Sequence, residues 1–234
     1  GALTEAGVRR FQAEERLGVD GIVGPNTHSA LKLDPEPAPE RVSHNAPDIL
    51  FRMDTMGYTV FHDGQVNLIG VRSENDGANA FDDEMHVIWK SGSNWRHRTY
   101  RITTDPGHYW LENPTNVNGT AILMPGQYPV YKWDMHQGRY ETLCQRAGPV
   151  KVWRDNDKNT SLDWDGEEYE GWFGINIHHS GARDSTRVDR WSPGCQVFAR
   201  YDDWSEGMHI CRDSGAKLFI YSLLEAKDLP PSLA

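Results

Sequence analysis

Between residues 48 and 234 the chain carries a series of short runs rich in β-branched and aromatic residues, and this feature limits its fold most. They include YTVF, VNLIGV, MHVIW, RTYRITT, TAILM, YPVYKW, VKVW, FGINIHH, CQVFAR and AKLFIYSL, and Gly, Pro, Asn and Asp clusters separate them. That spacing predicts an all-β or mostly-β domain. No run reaches the roughly 18 apolar residues of a membrane span, so no membrane-spanning segment is expected. The chain opens on Gly1 rather than Met, so the lack of a charged-then-apolar leader decides nothing.

The first 33 residues read differently. Val8, Phe11 and Leu17 recur at helical spacing among charged residues, with Thr4 as a candidate cap. Asp20-Gly21 and Gly24-Pro25 then mark a tight loop, and Asn26 or Thr27 caps a second helix running to about Leu33. Residues 34–47 hold four prolines and several acids with little to bury, which predicts a semi-rigid linker. The expected organisation is therefore a small all-α module at 1–33, a Pro-rich linker at 34–47 and a β-rich domain at 48–234.

With 24 Lys and Arg against 34 Asp and Glu, the net charge is -10 and no basic stripe exists to follow phosphates, so nucleic acid is not an expected partner. Three cysteines, Cys144, Cys195 and Cys211, are too few for a disulfide scaffold and odd in number, so one needs another explanation. Whether Cys144 and Cys211 pair stays open.

The N-terminal residues Val8, Phe11, Gln12, Leu17, Asp20-Gly21-Ile22-Val23-Gly24-Pro25, Thr27 and Ala30-Leu31 resemble the helical peptidoglycan-binding module found beside many cell-wall enzymes. The resemblance implies a targeting role, with peptidoglycan as partner and Asp20, Gly21, Gly24 and Thr27 as the module's site. The family's additional helix ahead of the Phe-Gln helix is largely missing. A module of this kind only targets, so chemistry must lie further on.

It concentrates in residues 174–195, where His178, His179, Ser192 and Cys195 fall within one short span. Three readings of it are open. In the first the span is structural: Phe173, Ile175 and Ile177 share one face of a strand, and Asn176 and His178 the other. In the second the Ile-His-His-Ser stretch resembles the opening of zinc-dependent N-acetylmuramoyl-L-alanine amidases, with His178, His179, His209 and Cys211 as a candidate ligand set. The order argues against it, because only 55 residues follow His179.

In the third, Cys195 is a nucleophile. Gly194 lets the backbone bend sharply and bare its N–H groups, and His178 serves as base, lowering the thiol pKa as an ion pair. A histidine on a strand followed by Ser192-Pro193-Gly194-Cys195, with Pro125-Gly126-Gln127-Tyr128 upstream, resembles the L,D-transpeptidase family. That resemblance implies a mostly-β L,D-transpeptidase-like catalytic domain whose cysteine attacks the carbonyl of a diaminopimelyl residue in a stem peptide. It assigns catalytic roles to Cys195, His178, Gly194 and Ser192, with His179 as alternate base. Tyr128, Arg190, Gln196 and Arg200 are candidate substrate contacts. Pro193 stands where the family has His, and Gln196 and Val197 stand near the family's Arg or Asn, so Arg190 or Arg200 is expected to supply the cation.

The expected function is a cysteine-dependent peptidoglycan peptidase working through a thioester, as an endolysin, L,D-carboxypeptidase or endopeptidase rather than a crosslinking transpeptidase. The amidase and a non-catalytic cell-wall-binding protein are the alternatives. No metal or other cofactor is expected, and the chain is expected to be a monomer. Its expected place is the cell envelope, periplasmic or secreted, or a phage-encoded protein acting on a host wall. Two lesser features complete the reading. Asp155, Asp157, Asn159 and Asp163 alternate like a calcium loop without the EF-hand Gly and Glu, which favours an acidic surface turn. His136 is placed in a loop flanking the cleft.

Overall fold

The computed structural model describes residues 2–15, 17–22, 27, 30, 46–181 and 184–229. It divides the chain into one unit at 1–41 and another at 42–234.

In the first unit, helix α1 covers Ala2–Glu14. It starts at Ala2, so Thr4 lies inside the helix instead of capping it. Gln12, only 1% exposed, gathers the following loop around itself. Its Nε2 donates to Asp20 Oδ1 (2.7 Å), Ile22 O (2.8 Å) and Thr27 Oγ1 (3.0 Å), and its Oε1 accepts from Gly21 N–H (2.8 Å). Gly21 makes the turn with a φ of +78°, which a side chain would resist. The expected second helix lies outside the described residues except for Thr27 and Ala30, both helical. Gly24 lies outside them too, as does the linker up to residue 45.

The second unit is mostly β. Its elements in chain order are α2 (Asp48–Thr55), β1 (Val66–Arg72), β2 (Asp83–Ser91), β3 (Asn94–Thr103), α3 (His108–Glu112), β4 (Thr120–Leu123), β5 (Gly126–His136) and β6 (Tyr140–Gln145). After these come β7 (Val150–Asp155), β8 (Glu168–Gly171), β9 (Ile177–His179), β10 (Gln196–Phe198), α4 (Tyr201–Asp213) and β11 (Phe219–Glu225). Eight strands close a barrel in the order β1-β11-β5-β6-β9-β10-β3-β2, while β4, β7 and β8 form a separate antiparallel sheet. Within the barrel β1 runs parallel to β11 and β9 parallel to β10.

Alternation explains the layers. Val66 and Leu68 of β1 belong to the barrel core with Met85, Tyr131, Leu143, Ile177, Phe198 and Tyr221, while Ile69 and Val71 point outward under Ile49, Leu50 and Met53 of α2. Covered on both faces, β1 is buried throughout, and a Cβ at Gly70 would collide with the Tyr221 hydroxyl. On α4, Trp204, Met208 and Cys211 join the barrel core.

Several expectations change. YTVF is not a strand; its Tyr58 and Val60 pack instead against the α2 cluster. Asp48–Thr55 is a helix because Ile49, Leu50 and Met53 fall on one helical face. Only Ile177–His179 of FGINIHH forms a strand. Gly174 sits at φ +71°, and Gln145 Oε1 accepts the N–H groups of Phe173 (3.2 Å), Gly174 (2.9 Å) and Ile175 (3.2 Å), diverting them from a ladder.

Candidate active site

Strands β9 and β10 pair with Gln196 opposite Ile177 and Val197 opposite His178. Paired residues share a face, so Ile177, Gln196 and Phe198 turn into the barrel, and Asn176, His178, Cys195 and Val197 turn out of it. On that outer face Cys195, Val197 and Ala199 pack with Phe81 and Val188.

The turn ahead of β10 is fixed by Ser192, whose fully buried hydroxyl donates to Cys195 O (2.8 Å) and accepts Gly194 N–H (3.1 Å). Gly194 stands at φ +114°, and a Cβ there would strike the Ala121 carbonyl, so no other residue fits without a shift. Ser192 and Gly194 therefore shape the turn. The neighbouring N–H groups are committed, Gly194 to Ser192 and Gln196 to Asn176 O (2.9 Å), whereas that of Cys195 itself is not engaged by either of these partners.

Cys195 Sγ accepts the Asn176 N–H at 3.4 Å and approaches Gly174 O at 3.6 Å. Burial pushes this thiol up to about 11, against the pull of the Asn176 N–H. His178 is 4% exposed, and burial, with His136 beside it, pushes its imidazole down to about 3. The expected thiolate–imidazolium pair is therefore replaced by a neutral thiol and a neutral imidazole.

The tautomers follow from the partners. His178 Nδ1 faces the carbonyl of His179 at 3.0 Å; a carbonyl only accepts, so Nδ1 carries the proton and Nε2 the lone pair. Asn176 Oδ1 accepts Gln145 N–H (3.0 Å), which directs its amide nitrogen to His136 Nδ1 (3.1 Å) and leaves the His136 proton on Nε2. The His136 and His178 rings stack with centroids 4.3 Å apart. His136 thus sits at the end of β5 as the ring partner of His178.

His179 points to the other side of the strand, against Tyr140, Trp204 and Tyr201 at 4.5, 4.7 and 5.1 Å between centroids, away from the Cys195 face. The zinc set is not assembled: His209 lies exposed on α4 with Nδ1 on Ser205 O (2.6 Å), and Cys211 is buried in the barrel core. Cys144, Cys195 and Cys211 are all free thiols.

The candidate substrate contacts fare unevenly. Tyr128 is buried and donates to Met124 O (2.7 Å), and Gln196 is buried and accepts from the Tyr221 hydroxyl (2.6 Å), so both side chains are engaged within the fold. Arg200 lies beside Asp203 (3.9 Å) at the start of α4, and Arg190 stacks on Tyr109 (3.8 Å). The cation of the cleft is Arg154 instead. Beside the Cys195 turn a cleft of about 270 Å³ is lined by Trp110, Ala121, Arg154, Trp172, Phe173 and Pro193. Arg154 donates to Gly119 O (2.8 Å) and lies 4.9 Å over the Phe173 ring, while its Nε is buried without an acceptor. A larger depression of about 550 Å³ beside α2 is lined by Asp48, Phe51, Arg52, Thr55, Asp228 and Leu229, with no cysteine or histidine among them.

Sequence reasoning missed Arg154 and Gln145. The signal for Arg154 was its parity with Val150 and Val152, which puts a cation on the apolar side of β7. Nothing local marks Gln145, whose bonds reach across 26 to 30 residues.

A barrel with a cysteine turn beside an aromatic, cation-bearing cleft is what the second unit presents. Residues 1–31 match the family described as "Putative peptidoglycan binding domain". This links the chain to peptidoglycan and the cell wall. No curated protein and no solved structure matches the chain. No helix among the described residues is long and apolar enough to cross a membrane.

Proposed function

We propose that the 42–234 unit is a cysteine-dependent acyl-transfer enzyme acting on peptidoglycan stem peptides at a diaminopimelyl residue. The observation that carries this reading is the β9/β10 register, which pairs His178 with Val197, two residues beyond Cys195, while the Cys195 Sγ accepts the N–H of Asn176, two residues ahead of His178. His178 keeps its Nε2 lone pair, and burial favours the neutral form of both groups, so the thiol proton passes to Nε2 as Sγ attacks the carbonyl carbon. The oxyanion that forms accepts the Cys195 N–H. Breaking the C–N bond leaves the thioester, and the imidazolium returns its proton to the departing amine. Water then attacks the thioester, yields its proton to His178, and the carboxylic acid leaves as the thiol re-forms.

Arg154, between aromatic walls, has the charge and donors for a free carboxylate of the stem peptide. Hydrolysis is favoured over crosslinking because the motif departs from the L,D-transpeptidase pattern at Pro193 and Gln196, as in an endolysin or L,D-peptidase. Peptidoglycan digestion followed by mass spectrometry tests this. Cys195→Ala should abolish release of fragments cut at the diaminopimelyl residue while leaving sedimentation with the wall intact. Full activity in the variant would overturn the cysteine mechanism, and wall sedimentation with no fragment release by the native chain would leave a wall-binding protein. Loss only with the zinc chelator 1,10-phenanthroline, with free lactyl ends, would establish the amidase.

A further inference from the structure

At the far end of β7 the chain enters an acidic turn, and its oxygens meet. Ligand atoms of Asp155, Asp157 and Asp163 lie within 4.8 Å of one another. Three carboxylates this close repel, and among the described residues no lysine or arginine forms an ion pair with any of them.

A second observation is independent of the clustering. Asp155 is 0% exposed. Its Oδ2 accepts the Asp163 N–H at 3.1 Å, but its Oδ1 is shut off from solvent with no donor at all. A buried carboxylate oxygen left bare is costly, and a cation held jointly with Asp157 and Asp163 satisfies it.

We propose that Asp155, Asp157 and Asp163 bind a calcium ion that ties the 156–163 turn to the end of β7. An all-oxygen, all-carboxylate set excludes thiophilic and imidazole-seeking metals, and calcium accepts irregular sets completed by carbonyls and water where magnesium demands an octahedron. This is no EF-hand: Thr160 and Gly166 stand where that loop has its Gly and its bidentate Glu. The site adjoins Arg154, so the ion would brace the strand end that presents the cleft's cation. The proposal is independent of the cysteine chemistry, because no step above passes through these residues.

Terbium titration of the full chain tests it, with tryptophan excitation and Trp164 next to Asp163 as sensitiser. The expected result is sensitised emission that excess calcium displaces, with a calcium-dependent rise in Tm. Asp157→Asn and Asp163→Asn, on the solvent side of the cluster, should each lose both responses, while exposed Asp165→Asn keeps them. Asp155→Asn should raise the Tm of the metal-free protein and abolish the calcium response. Absence of emission and of any calcium shift in the native chain, or their persistence in both Asp157→Asn and Asp163→Asn, overturns the proposal.

Discussion

At Cys195 the loss of solvent outweighs the single N–H that stabilises the thiolate, and the thiol stays protonated at neutral pH. The rate of its alkylation by iodoacetamide, followed at this residue by mass spectrometry, should therefore climb about tenfold per pH unit from neutrality toward about 11. A plateau near neutrality would mean a preformed ion pair. His178 carries the complementary prediction. Its folded pKa of about 3 lies below the ordinary value of 6.5, so above pH 6.5 both states are neutral and the group adds no pH dependence. Between 6.5 and about 3 the unfolded chain takes up a proton that the fold refuses, and stability falls by up to about 1.4 kcal/mol per pH unit. Urea unfolding across this window should show a shallower slope for His178→Gln than for the native chain. Other titrating groups, such as His97, which burial pushes down to about 4, cancel in that comparison. Equal slopes would show that the fold does not hold His178 neutral.

Among elements, β9 depends most on help from elsewhere. Three residues make a poor strand, and the approach to it is held by the Gln145 side chain, which also donates to Gly148 O (3.1 Å) and Gly171 O (3.0 Å). Gln145→Ala leaves the Phe173, Gly174 and Ile175 N–H groups without their acceptor and should cost about 2–4 kcal/mol. Chemical denaturation measures this, and a change below about 0.5 kcal/mol would mean that water replaces the glutamine without loss. The strands legible in advance were those with long β-branched and aromatic runs, such as β1, β2, β3, β5 and β11. Tyr140–Gln145 and Glu168–Gly171 escaped because their polar residues and short length carry no period-two signature, and only pairing with β5 and β7 makes them strands.

On the scale of the whole molecule, the chain forms two compact units, and the peptidoglycan-binding match falls in the first. In the first, Asp20, Gly21 and Thr27 serve Gln12, so the motif residues fix the loop's shape. Gln12→Ala in the full chain should weaken sedimentation with peptidoglycan while leaving the melting of the barrel unchanged. Undiminished sedimentation would place wall affinity outside this loop.

The sequence by itself determined the mostly-β character of the second unit, the helical start of the first, the sharp turn at Gly194 and the shared face of Asn176 and His178. All of these follow from local rules: side-chain period, turn chemistry and the φ that only glycine adopts freely. Tertiary structure alone decided the closed barrel, the placing of Arg154 in the wall of the cleft, the separation of His179 from the cysteine face, and the neutral state of Cys195 and His178. Each of these depends on which distant strands pair and how much water they exclude. Burial and long-range pairing are sums over the whole fold, and no short stretch of chain contains them.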